Sequence, residues 1–180
     1  MASLTPAQLE AAVEFGTAAL QAFDQGGSFP ADTAVGAVAR MAGSFLLRSS
    51  GVALVQIKPG APVPSEQADQ EGPRLIQVLS AVLQRVGVTL DSSKLSAAQA
   101  AVKGPKEPFL QTQQTLEPRF AAIQDQFDLT DGEAADSAAA ATAVLIKNCA
   151  GFLDPHVGFA LAVYGLIEGS RTAPAMGGAG

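Results

Sequence analysis

The most apolar stretch of the chain, residues 130–169, has the pattern of two helices joined by a short turn. Thr130 followed by Glu133 matches a capping box, in which both side chains bind backbone N–H groups at a helix start. The alanines that follow favour helix by intrinsic propensity. Asp154 and Pro155 then suit the N-cap and the first position of a second helix. The pattern predicts a C-terminal apolar helical hairpin around which the other helices pack.

The second helix of this hairpin is apolar on almost every side, a pattern typical of a helix in a protein core or in lipid. A membrane-spanning helix needs about 20 consecutive apolar residues, and this run has about half that length. Lys147 and Asn148 also interrupt the first helix. We therefore expect a hairpin buried in protein, with no stable membrane association. A hairpin that inserts into a membrane only under some conditions is the third functional alternative.

Helical periodicity also marks the chain before residue 130. Thr5, Pro6 and Gln8 open the first helix, and its apolar positions recur at helical spacing: Leu9, Ala12, Val13, Gly16, Ala19, Leu20 and Phe23. Pro118 either kinks or ends the last of the earlier helices. The first helix is predicted to begin at Pro6 and to be ended by Gly26 and Gly27. The other earlier helices are predicted at 30–49, 73–86, 97–102 and 108–127, and Ser96 caps the one at 97–102.

Residues 51–65 break this periodicity. A short strand pair is possible near 52–57, and the prolines that follow exclude regular structure. This segment is either a functional loop or a plain connector. The prediction is an all-α, single-domain bundle of about five to seven helices over residues 1–169, followed by a flexible tail over 170–180.

Two pairs of glycines have the same seven-residue spacing. Gly36 and Gly43 lie on one face of the second helix, and Gly158 and Gly165 lie on one face of the last. Faces without side chains let two helices approach closely. The two faces are predicted to pack together in the chain or to favour pairing between chains.

Composition narrows the functional classes. The net charge is −6, and Lys and Arg are too few and scattered for a nucleic-acid surface. One cysteine excludes an internal disulfide, and the first residues lack a signal-peptide pattern. We expect an acidic protein of the cytoplasm, and its alanine-rich, lysine-poor composition suggests a bacterial source.

The candidate chemistry is concentrated near the hairpin. His156 beside Asp154 is a candidate general base. Together with Tyr164 and Lys147, which are also near the hairpin, these two residues form the predicted ligand-binding set. The alternatives are structural: His156 covers the hairpin turn, and Lys147 extends its amino group to solvent. Cys149, at a helix end, is expected to be a buried and unreactive thiol.

Motifs for familiar catalytic machinery are missing from the sequence. The acidic residues between 125 and 136 do not fit a calcium loop, and one histidine cannot supply the two Glu-x-x-His motifs of a di-iron bundle. We predict no metal site and no cofactor. Scattered carboxylates still leave catalysis open, so the enzyme class is undecided and a non-enzymatic protein is favoured.

The leading hypothesis is therefore a helical protein that acts through self-association, as a homodimer, or through contact with another protein. The alternative is a small-ligand-binding protein or hydrolase with a pocket beside the C-terminal hairpin.

Overall fold

The structure is a computed structural model that describes residues 4–24, 26 and 30–175, and these residues form a bundle of seven α-helices. The predicted all-α bundle is confirmed. The helices are α1 (Pro6–Phe23), α2 (Ala31–Ser49), α3 (Glu66–Arg85), α4 (Ser92–Ala101), α5 (Phe109–Gln126), α6 (Asp131–Asn148) and α7 (Pro155–Ser170).

The strand pair considered near 52–57 is wrong. Leu54–Gln56 form a 3-10 turn, and the side chain of Val55 is 81% exposed. No strand occurs anywhere in the described ranges, where the one β-bridge joins Pro62 to Thr172. A strand needs a neighbouring strand to bind its backbone N–H and C=O groups. This short apolar run has no such neighbour among the residues described, and its backbone groups form local hydrogen bonds in the 3-10 turn instead.

Helix α2 is the centre of the bundle. Its residues from Ala31 to Leu47 are all buried except Asp32. Helices α6 and α7 each make their largest contact with α2, and they make few contacts with each other. The two helices of the predicted hairpin are therefore present and consecutive, but α2 holds the central position that the sequence suggested for them.

The contact between α2 and α7 brings the two backbones together. A Cβ atom on Gly165 would lie 2.8 Å from the carbonyl oxygen of Gly36. A Cβ atom on Gly43 would overlap the carbonyl oxygen of Leu166, and one on Gly169 would overlap backbone atoms of α2. The predicted close packing of these small faces is thus found within one chain.

Two of the four glycines face other parts of the chain: a Cβ atom on Gly158 would meet Ile146 of α6, and one on Gly36 would meet Pro105 in the loop before α5. The small-residue faces of α2 and α7 cover each other, so they do not supply a surface for a second chain.

Two helix starts differ from the sequence prediction. Helix α3 begins at Glu66 rather than Pro73, because Ser65 accepts a hydrogen bond from the backbone N–H of Ala68 and caps the helix there. Helix α4 begins at Ser92, capped by Asp91 rather than by Ser96. In both cases a side chain further upstream binds the free N–H groups first.

Two prolines lie inside helices without ending them. Pro73 lies inside α3, and Pro118 lies inside α5, so the helix predicted at 108–127 is a single element.

The segment after α7 is attached to the loop before α3. The N–H of Val63 donates to the carbonyl oxygen of Arg171, and the N–H of Ala173 donates to that of Ala61. Ala173 is buried. Residues 176–180 of the predicted tail lie outside the described residues, and the division at residue 170 stays a prediction. None of the helices described has the length and apolar character that a membrane crossing requires.

We predict that Gly43→Ala lowers the free energy of unfolding by about 2 kcal/mol, because the new methyl group separates two packed backbones. Urea unfolding measures the change. Gly132→Ala is the matched control, since a Cβ atom there meets nothing within 4 Å. Equal stability of the two variants would contradict the backbone contact.

Candidate functional site

Helix α1 has two apolar faces, and the core covers only one of them. Phe15 is fully buried, with its ring centroid 4.5 Å from that of Phe120. On the opposite side Leu9, Val13 and Leu20 are 48%, 66% and 38% exposed. The helix itself is well defined, because the capping box of Thr5 and Gln8 predicted from the sequence is present. Helix α1 therefore exposes an apolar stripe to solvent.

The stripe borders a groove between α1 and α6. The groove encloses a cavity of about 310 Å³ whose walls also include Val82 of α3. On the α6 side Val144 is 39% exposed. The middle of the groove is open at Gly16, where a Cβ atom would meet nothing within 4 Å. We call this surface the α1–α6 face and define it by these residues: Leu9, Val13, Gly16, Leu20 and Val144.

A second cavity shares the lining residue Val82 with the groove and is bordered by Arg74 and Asp136. Arg74 Nη1 donates to Asp136 Oδ1 at 2.6 Å, and Arg74 Nε donates to Glu71. Burial raises the pKa of Asp136, while the guanidinium of Arg74 opposes that shift. The charges of Arg74, Asp136 and Glu71 are therefore paired within the chain, and apolar side chains dominate the groove itself.

The structure brings together two of the four residues predicted to bind a ligand. His156 Nδ1 lies 2.8 Å from Asp154 Oδ1, and the backbone N–H of Asp91 donates to His156 Nε2 at 3.0 Å. Because Nε2 accepts a hydrogen bond, Nδ1 carries the proton and donates to Asp154. Both ring nitrogens are thus engaged, and His156 joins the start of α7 to the start of α4.

The other two residues lie apart from this pair. Tyr164 packs against Gly104, where a Cβ atom would lie 2.6 Å from the tyrosine ring. Lys147 is exposed on α6. Within the described part of the chain, no hydrogen bond or ion pair links either residue to Asp154 or His156, and none of the four lines a described cavity. The ligand-binding role of this set stays a prediction.

Cys149 is buried, and burial raises the pKa of its thiol. Over the residues for which positions are given, no three His, Cys, Asp or Glu side chains are grouped as a metal site would need.

Sequence reasoning missed a row of buried polar side chains on α2. Arg40 is 3% exposed, and its Nε donates to Glu168 Oε2 of α7 at 2.6 Å. Its Nη1 donates to Thr112 Oγ1 at 2.9 Å and to the carbonyl oxygen of Glu107 at 2.7 Å. One turn further along α2, Ser44 Oγ accepts from Gln113 Nε2 at 2.8 Å. These bonds fix α5 and α7 against α2.

The last member of the row is Arg48, whose Nη2 lies 2.7 Å from Glu117 Oε2 in an ion pair without hydrogen-bond alignment. The four-residue spacing of Arg40, Ser44 and Arg48 in an apolar helix was a visible signal of a polar row on one helix face. Their partners are distant in the chain, so spacing alone did not identify them.

Comparison with known protein families, with curated proteins and with solved structures gave no match for this chain.

We predict that Arg40→Ala lowers the free energy of unfolding by about 3 kcal/mol, because it leaves buried acceptors without their donor. Arg40→Lys is the conservative control. It keeps the charge but cannot bind three acceptors in the same geometry, so its stability should lie between those of the wild type and Arg40→Ala. Chemical denaturation measures both, and an unchanged Arg40→Ala protein would contradict the role of the row.

We predict that protonation of Asp154 lowers the stability of the fold in acid. Its hydrogen bond with the His156 side chain, together with its backbone bonds at the start of α7, lowers the pKa of its carboxyl group. For an acid whose pKa is lowered by folding, the stabilisation is present above the unfolded value of about 3.9 and is lost as pH falls through the folded value.

Asp154→Asn keeps a helix-capping side chain but removes the titration. Its free energy of unfolding should therefore fall less than that of the wild type between about pH 6 and about pH 3. Parallel pH curves for the two proteins would count against this assignment.

Proposed function

We propose that this protein acts by associating with another protein chain, and that the α1–α6 face is the contact surface. The observation that carries the proposal is the run of exposed apolar side chains on adjacent helices: Leu9, Val13, Leu20 and Val144. Single exposed apolar residues are normal on protein surfaces, whereas a contiguous apolar patch is typical of an interaction site.

Other exposed apolar side chains do not form such a surface. Val55 lies in the 3-10 turn, and Phe152 lies between α6 and α7. Tyr164 and Ile167 belong to α7, where the ring of Tyr164 is already against Gly104. None of these residues borders the groove. The α1–α6 face is therefore the apolar surface best suited to docking.

The shape of the face suits a helix. Helices α1 and α6 bound the groove, and the α6 side is lined by the small side chains of Ala140 and Ala141. A helix that binds in such a groove inserts apolar side chains spaced three and four residues apart. Burial of the exposed parts of Leu9, Val13 and Leu20 would supply the driving force, because apolar area removed from water is stabilising.

A small-ligand pocket beside α7 is the second candidate. A cavity of about 200 Å³ is lined by Leu166, Ile167 and Ser170 of α7, with Asp69 and Arg171 at its edge. A cavity of about 150 Å³ is enough to hold benzene, so this one suits a ligand with a single ring. It supports the predicted location beside the C-terminal hairpin, but through residues other than the four that were predicted.

Cysteine labelling tests whether the α1–α6 face is covered in the cell. Val13→Cys places a thiol on the face, and Val55→Cys is the control because Val55 is 81% exposed and lies elsewhere. The native Cys149 is 4% exposed and its pKa is raised, so it should contribute little labelling.

In dilute purified protein both introduced thiols should react at similar rates with a maleimide. In the cells that normally make the protein, we expect Val13→Cys to react about tenfold more slowly than Val55→Cys, because a bound chain excludes the reagent. Val144→Cys should show the same protection from the α6 side. Equal reactivity of all three thiols in both settings would refute the proposed function.

A further inference from the structure

We infer that the chain that covers the α1–α6 face is a second copy of this protein, docked with its α1 antiparallel to the first α1. This inference rests on the proposed function and names its partner.

The spacing of the exposed stripe is the first argument. Leu9, Val13, Gly16 and Leu20 are separated by four, three and four residues, so the series is the same in both directions along the helix. Spacings of three and four are those of a coiled-coil seam. A two-fold contact needs a self-complementary surface, and this stripe is one. In the antiparallel register Leu9 faces Leu20 of the partner subunit.

The opening at Gly16 is the second argument. In the same register Val13, which is 66% exposed, faces Gly16 of the partner subunit. Because a Cβ atom on Gly16 would meet nothing within 4 Å, the space beside it is free to receive the valine. Glycine weakens a helix interior relative to alanine.

A parallel pairing does not use these shapes. It places Val13 against Val13 of the partner subunit and leaves Gly16 opposite Gly16 of the partner subunit. The valines would then hold the helices apart, and the two openings would stay empty. Packing of projections into openings therefore selects the antiparallel arrangement.

The acidic residues beside the stripe are compatible with the same register. Glu10 lies beside the stripe, and in the antiparallel pair the two Glu10 residues are offset by about 13 Å along the helix axis. That offset exceeds the screening length of about 8 Å at physiological salt. Glu14 is further from the seam but at the level of its counterpart, so it adds a repulsion that salt screens.

The length of helix α1 limits the area that the pair can bury. Helix α1 has 18 residues, which corresponds to about 27 Å. A single helix pair buries less than the standard interface of about 800 Å² per partner, so exposed α6 residues such as Val144 have to contribute. We expect a dimer with a dissociation constant on the order of 1 µM.

Cross-linking of the purified full chain tests the register. A Leu9→Cys protein is mixed with a Leu20→Cys protein and treated with a short bis-maleimide, and each protein is also treated alone. The mixture should cross-link about tenfold faster, because positions 9 and 20 face each other while identical positions are offset by about 16 Å. Faster cross-linking of either protein alone would overturn the antiparallel register.

Sedimentation of the unmodified protein separates this inference from the proposed function. A concentration-dependent dimer supports it. If the purified protein stays monomeric far above about 1 µM while Val13→Cys is protected in cells, the second copy is excluded and the proposed function stands with a different partner. If Val13→Cys is not protected in cells, the proposed function itself fails.

Gly16→Ala tests the opening. Its matched control is Gly132→Ala, because a Cβ atom at either glycine meets nothing within 4 Å in this chain. Both variants should raise the thermal midpoint of the dilute monomer slightly, because alanine favours helix. Only Gly16→Ala should weaken the dimer, by about tenfold, since the methyl group enters the space of the partner's Val13. Unchanged dimerisation of Gly16→Ala would overturn this packing.

Discussion

The structure depends on the close contact between the backbones of α2 and α7. Gly43, Gly165 and Gly169 have no side chains to separate the helices, and even a methyl group at these positions would overlap the opposite backbone. With α7 on one side and α6 on another, α2 has almost no exposed residue. The same closeness brings Glu168 within reach of Arg40, so this partly buried ion pair depends on the glycines.

Sequence pattern predicted those parts of the fold that depend on neighbouring residues. The starts of α1, α6 and α7 were found because their caps, Thr5, Thr130 and Asp154, lie directly before an apolar periodic run. The start of α3 was missed because Gly72 and Pro73 resemble a helix boundary, although the cap at Ser65 lies further upstream. Local signals compete, and tertiary packing decides among them.

The candidate site was harder to predict because it exists only where no other described helix of the chain covers the apolar face of α1. The sequence placed Leu9, Val13 and Leu20 in the apolar pattern of the first helix together with residues that are buried. Periodicity shows which residues share a helix face, but it does not show how many faces the rest of the chain covers. That number depends on the distant helices α5 and α6, which pack against α1 and leave the stripe beside α6 uncovered.

The central position of α2 has a consequence for synthesis of the protein. Helix α2 leaves the ribosome before α6 and α7, which enclose it and follow roughly 80 to 120 residues later, a delay on the order of 10 s at ordinary translation rates. During that interval its apolar surface has no native partner, and such surfaces are prone to aggregation. Nascent chains of this protein are therefore expected to need a chaperone until α7 emerges.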